Sequence, residues 1–215
     1  MKKMFLMLTA VVMLLQVYAQ DNQLTATVAQ LDKAKTVKDY QALATKFASA
    51  ANTQKTNWLP FYYAAYCNAR IGFMLEDDGE RVEPFANDAE TYGKQAEALL
   101  KGSTDKHQQA ELYAVLFMVY RSRVFINPMT YGREYGIRSQ QYLDKAAQLD
   151  PQNPRVLYLQ SWVKYYTPKM WGGDKEKAKT LATEALSKLQ AQTATGEQPH
   201  WGKAESEEIL AKYNR

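Results

Sequence analysis

Two histidines, one cysteine and one short acidic run are the obvious places to look for chemistry in this chain. Their spacing supports little of it. His107 and His200 stand near the starts of different helical stretches, and a metal site would need them to converge with carboxylates. Nothing in the spacing demands that, so both are read as solvent-facing. Cys67 lies in an apolar helical run and is expected to be a buried, inert thiol. A single cysteine also forms no intramolecular disulfide. Glu76-Asp77-Asp78-Gly79-Glu80 carries acids but lacks the alternating ligands and terminal glutamate of a calcium loop, so a solvated loop is expected. Gly172-Gly173-Asp174, with Lys175 and Lys177 close by, could seat an anion at a helix start. Asp174 as N-cap would occupy those amides instead. There is no Gly-rich phosphate loop, HExxH, GxSxG or CxxC. The expectation is therefore no enzyme, no metal and no cofactor.

Aromatic side chains are the unusual enrichment. Tyrosine alone occurs fifteen times. Tyr62, Tyr63, Tyr66, Tyr113, Tyr120, Tyr158, Trp162, Tyr165 and Tyr166 fall on a few helical stretches. Such rings give large contact area at low entropy cost, with a polar tip. They could fill space between helices or form a binding stripe, and so many polar-tipped rings would be odd core filling.

The elements that must position them begin with an export signal at 1–19. Lys2 and Lys3 precede an apolar run from Met4 to Leu15, and Val17-Tyr18-Ala19 offers a cleavage site before Gln20. The run is short for a membrane span, so no stable anchor is expected after cleavage. The protein is expected outside the cytoplasm, in the periplasm if the cell has an outer membrane. Residues 20–215 then form one helical domain. Signal removal lowers the net charge from +4 to +2, with 25 basic against 23 acidic residues. That argues against a nucleic-acid binder, which would show a concentrated basic stripe.

No stretch alternates convincingly enough for a strand. Helices are expected at 22–34, 37–52, 56–74, 85–101, 105–126, 133–149, 154–166, 174–190 and 202–213, with Pro84, Gly132 and Pro168 among the residues between them. Leu149-Asp150-Pro151-Gln152-Asn153-Pro154-Arg155 joins two of these patterns. Pro151 stops one helix, Asn153 caps the next and Pro154 suits its first position. Small residues recur seven apart at Ala89 and Ala96, Ser139 and Ala146, and Ala178 and Ala185. Tyr113, Leu116 and Tyr120 complete an aromatic-Leu-Tyr pattern.

These features resemble the tetratricopeptide (TPR) repeat family over residues 36–190, with enlarged loops inside the repeats. The resemblance implies an all-α solenoid of antiparallel helix pairs, closed by the last helix as a cap. It implies a concave groove lined by Tyr63 and Tyr66, then Met118 and Arg121, then Tyr158, Trp162 and Tyr165. Two loops also resemble each other, Asn127-Pro128-Met129-Thr130-Tyr131-Gly132 and Thr167-Pro168-Lys169-Met170-Trp171-Gly172. In a stacked array they would emerge on one edge. Met129, Tyr131, Met170 and Trp171 would there form a patch on the groove rim, or fold back to plug a gap between helix pairs. The function expected is a non-catalytic scaffold holding a protein segment or peptide. The alternative is a small-ligand-binding protein serving solute uptake. An open groove would favour the first and a closed pocket the second.

Overall fold

The computed structural model describes residues 23–193 and 196–213; the expected export signal at 1–19 lies outside them. Among the described residues the protein is all-α, with no strand. A first helix, α1 (23–28), leads through a 3-10 turn at Leu31–Lys33 to α2 (Val37–Thr53), α3 (Trp58–Met74), α4 (Gly79–Leu100) and α5 (Lys106–Ile126). There follow α6 (Pro128–Leu149), α7 (Pro154–Tyr166), a 3-10 turn at Lys169–Trp171, α8 (Lys175–Ala191) and α9 (Lys203–Ala211).

Side-chain caps start most of these helices. Thr36 and Asp39 form a reciprocal capping box on α2. Asn57, Asp78, Asp105, Asn127, Asn153 and Asp174 each accept a hydrogen bond from a first-turn amide of α3 to α8. Each satisfies a backbone donor that the helix itself leaves unpaired.

Each helix packs on the next, and α3 also touches α5, which in turn touches α7. The chain is thus built as pairs α3/α4, α5/α6 and α7/α8, with α9 resting on α7 and α8. The first helices form the centre. α3 is buried along nearly its whole length, and α5 from Ala110 to Tyr120 apart from Tyr113. The second helices bury one narrow stripe each: Ala89, Gly93 and Ala96 on α4, Ser139, Leu143 and Ala146 on α6, and Ala178, Ala182 and Ala185 on α8. Gly93 has no room for a Cβ, because the Leu116 side chain occupies its place.

Four expectations are corrected. The stretch 22–34 does not stay one helix, since α1 gives way to the 3-10 turn. α4 begins at Gly79 rather than 85, because Asp78 of the acidic run caps it, and Pro84 lies inside the helix. α6 begins at Pro128 rather than 133. Asn127 both ends α5 and caps α6, so the first of the two similar loops is a single junction residue and a helical turn. Gly132 is therefore helical. The second, after α7, is a real loop.

Candidate functional site

The seven residues expected on one groove do not share a surface. Tyr63, Tyr66, Met118 and Tyr158 are sealed in the interior. The C-terminal segment supplies the physical reason. Trp201 stacks on Tyr66 with ring centres 4.6 Å apart and meets Tyr158 edge-on at 6.3 Å. The Tyr63 hydroxyl donates to the Glu197 carbonyl at 2.6 Å, and the Tyr66 hydroxyl lies 3.4 Å from Glu205 Oε1. Residues 197–209 thus cover the face these tyrosines would have offered. Burial, reinforced by nearby carboxylates, holds the Tyr63 and Tyr66 hydroxyls well above their ordinary pKa. Tyr165 packs on Tyr166 and Tyr213.

A buried polar network lies behind the same segment, on residues that belong to none of the candidate sites. Arg155 and Glu111 form a fully buried ion pair, with Arg155 Nη2 2.5 Å and Nε 2.8 Å from Glu111 Oε1. Asn153 Nδ2 donates to Glu111 Oε1, and the Tyr62 hydroxyl to Oε2. Trp201 Nε1 donates to the Tyr62 hydroxyl at 2.8 Å, and Arg155 Nη1 to Gln192 Oε1 at 3.1 Å. Burial works against the Arg155 charge, but Glu111 beside it outweighs burial and raises its pKa. His107, half exposed, approaches Glu111 from the surface, its Nε2 3.8 Å from Oε1. With the Arg155 and Glu111 charges paired inside the protein, the network is an internal brace. Glu111 could have been found only by noticing a carboxylate on the apolar face of α5.

The histidines do not meet. His107 Nδ1 lies 2.8 Å from Asp150 Oδ2, and His200 Nε2 lies 3.1 Å from Asp32 Oδ1. His200 is largely covered, against the expectation of a solvent-facing ring. Cys67 is buried and unpaired, and burial pushes its thiol pKa well up. Asp174 caps α8 through the Lys177 amide.

An open cleft of about 1400 Å³ lies between α6, α7 and α8. α6 contributes Met129, Gly132, Arg133, Gly136, Ile137, Gln140 and Asp144 to one wall. These recur every three or four residues, as one face of a helix does. Opposite stand Gln160, Val163 and Lys164 of α7, Thr167, Trp171 and Gly172 of the loop, and Lys177 and Leu181 of α8. Its rim is unusually apolar for exposed surface: Met129 is 96%, Trp171 73% and Ile137 53% exposed, and Met170 beside Trp171 is 82% exposed. Tyr131 turns away onto Tyr135 instead. The two stretches read as similar loops thus bring Met129 and Trp171 to one cleft.

Two details of this cleft are chemically specific. Gly132 and Gly136 sit one turn apart within α6, and a Cβ on either would meet nothing within 4 Å. Packing does not explain them, and each costs about 1 kcal/mol of helix propensity against alanine. They leave a bare strip of helix backbone along the wall. The second detail is Arg121. It lines the cleft with its guanidinium 5.6 Å from the ring centres of both Phe117 and Trp162. Its Nε is sealed from solvent without a hydrogen-bond partner, and no ion pair reaches it among the described residues. Burial holds its pKa below the usual arginine value, yet an arginine keeps its proton in proteins. Arg121, Arg133, Lys164 and Lys177 face a single lining carboxylate, Asp144, which accepts from Gln140 at 2.8 Å. Lys164 Nζ is held on the Gly172 carbonyl at 2.8 Å. The cleft can therefore hold a flat, apolar body carrying negative charge.

These features define an all-helical protein of successive helix pairs, with an open cationic cleft between the last two. A solved structure similar to this chain is the HusA haemophore from Porphyromonas gingivalis. The two are 29% identical over 88% of this chain and 90% of that chain, with a TM-score of 0.72. No family model and no curated protein matches the chain. No helix among the described residues is long and apolar enough to cross a membrane.

Proposed function

We propose that this chain is an exported, non-catalytic binding protein that holds a tetrapyrrole of the haem class in the α6–α7–α8 cleft. The carrying observation is the cleft itself: about 1400 Å³, with an apolar rim, a bare glycine strip and four basic side chains against one acid. Haem is a broad flat ring with two carboxylates on one edge. The cleft exceeds the ~300–1,000 Å³ usual for drug-sized ligands, which suits a ligand of that breadth. Similarity to a haemophore supports the same reading. Lys2, Lys3 and the apolar run after them support export. The paired helices are read as degenerate TPR-type repeats turned from peptide binding to small-ligand capture. The peptide reading has less support, because Glu197, Trp201 and Glu205 meet the tyrosines it would use.

Titration of residues 20–215 with haemin tests this. The expected result is a shifted Soret band together with quenched tryptophan emission, the quenching reduced in Trp171→Ala. Absence of any Soret change would overturn the reading. Binding that is unchanged in both Trp171→Ala and Ile137→Glu would remove the cleft from it.

A further inference from the structure

We propose that Arg121 is the specificity-determining residue of the cleft, a fixed guanidinium that selects ligands carrying a free carboxylate. The inference rests on the haem-class reading above and adds to it which group of the ligand is recognised and by which atom set.

Three observations converge on Arg121. It is the one cleft cation that comes from α5, the central helix beneath the cleft, whereas Arg133, Lys164 and Lys177 come from the walls. It is held in place without an acid. Phe117 and Trp162 each lie 5.6 Å from its guanidinium carbon, and Trp162 is itself fixed by Phe73 at 5.3 Å and Tyr166 at 4.9 Å. Aromatic faces orient a guanidinium by its plane and leave its hydrogen-bonding edges free. Its charge is also unpaired: Nε is buried without an acceptor, as it is in Arg70 and Arg123, but among the described residues no carboxylate reaches Arg121. The other arginines with comparable burial each have a carboxylate beside them. Arg155 is paired with Glu111, Arg70 lies 3.4 Å from Glu205, and Arg123 lies 2.9 Å from Glu90. Among the described residues, every largely buried arginine except Arg121 therefore has an acid of the protein beside it.

A planar guanidinium with free edges matches a carboxylate through two parallel hydrogen bonds. Water has already been removed from part of the group in the empty protein, so an arriving carboxylate need not strip it again. A lysine wall contact lacks this fork and remains hydrated, so it adds attraction without selecting geometry. The ligand is expected to enter with one carboxylate directed down to Arg121 and its ring against the Gly132–Gly136 strip.

The test compares haemin with haemin dimethyl ester, which keeps the ring and the iron but loses both anionic carboxylates. Wild-type protein is expected to bind haemin on the order of 10- to 100-fold more tightly than the ester, as expected for a charge-assisted bidentate contact. In Arg121→Met the preference should collapse several-fold toward unity while ester affinity is kept. The wild-type comparison needs no variant, so it can overturn the proposal even if Arg121→Met folds poorly, and Lys164→Met and Lys177→Met should keep the preference that Arg121→Met loses. Equal affinity of the wild type for both compounds overturns the proposal, as does an undiminished preference in Arg121→Met. Either result leaves the haem-class reading standing. Failure of haemin and ester alike to bind wild-type protein would instead remove that reading.

Discussion

Trp171 lines the cleft, Trp162 backs its Arg121, and the two rings are held differently. Trp162 is half-buried among Phe73, Phe117, Tyr166 and Arg121, whereas Trp171 stands out on a short 3-10 turn. That turn is braced from behind. The Gly173 amide donates to the Pro168 carbonyl at 3.1 Å and the Asp174 amide to the Lys164 carbonyl at 2.9 Å. Gly172 takes a positive φ of 90°, which favours glycine. At Gly173 a Cβ would run into the Thr167 carbonyl. An exposed ring on a braced turn adds little to stability, so Trp171→Ala is expected to change unfolding free energy by less than about 0.5 kcal/mol. Its loss should still weaken haemin binding by about 1 kcal/mol, the value of a good ring–ring contact. Arg155→Ala is expected to do the reverse. It strands the buried Glu111 carboxylate, a change that costs about 3–5 kcal/mol, and it touches no cleft residue. Urea unfolding and haemin titration of the two variants separate the roles. A large stability loss in Trp171→Ala would show that the ring is part of the core.

Helix α6 buries one face in the core and turns another to the cleft. Alanine at Gly136 fits a helical backbone and meets no neighbour. Gly136→Ala should therefore stabilise the empty protein by about 0.4–1 kcal/mol. The same methyl stands on the strip where a flat ring would lie, so haemin affinity should fall. A thermal melt and a titration measure the two effects. Unchanged affinity in the stabilised variant would show that the strip does not touch the ligand. This helix also shows what the residues could and could not reveal. The buried positions Ser139 and Ala146 are legible because packing repeats at helical spacing, and Leu143 between them completes the stripe. The cleft face, from Met129 through Gly132, Arg133, Gly136 and Ile137 to Gln140, has the same spacing. The loop reading of Asn127–Gly132 hides it, although Asn-Pro is an N-cap followed by a first-turn proline. With α6 begun at Pro128, the face can be read from the chain. Arg121 and Trp171 were found for reasons of repeat position and loop similarity. The occlusion of Tyr63, Tyr66 and Tyr158 was not legible. It depends on where Trp201 and α9 return, and no local pattern in 192–202 states that.

The whole molecule has no disulfide to hold it, since Cys67 is its single cysteine. Its centre is instead a set of packed tyrosines whose hydroxyls are inside. Tyr62, Tyr63 and Tyr66 lie on α3, Tyr120 on α5 and Tyr158 on α7, so ionisation at any of them places a charge between helix pairs. Burial, with Glu111 and Glu205 adding to it, raises the pKa of Tyr62, Tyr63 and Tyr66 well above the ordinary value. Burial pushes the Tyr120 hydroxyl up to about 12. The sign of the consequence follows. A group whose folded pKa exceeds its unfolded value holds its proton more tightly in the fold. Its contribution is complete below the unfolded value near pH 10 and declines as pH rises through the folded value. Unfolding free energy is therefore expected to be insensitive to these groups at neutral pH and to fall steeply from about pH 10 upward. Each buried tyrosine adds up to about 1.4 kcal/mol per pH unit to that slope. Because the rings touch several helix pairs at once, the loss should be cooperative. Tyrosinate absorbance from the core and loss of helical circular dichroism should appear together as pH is raised. Smooth ionisation of all tyrosines near pH 10 with the helices intact would show that the hydroxyls are solvated and that the core is not built this way.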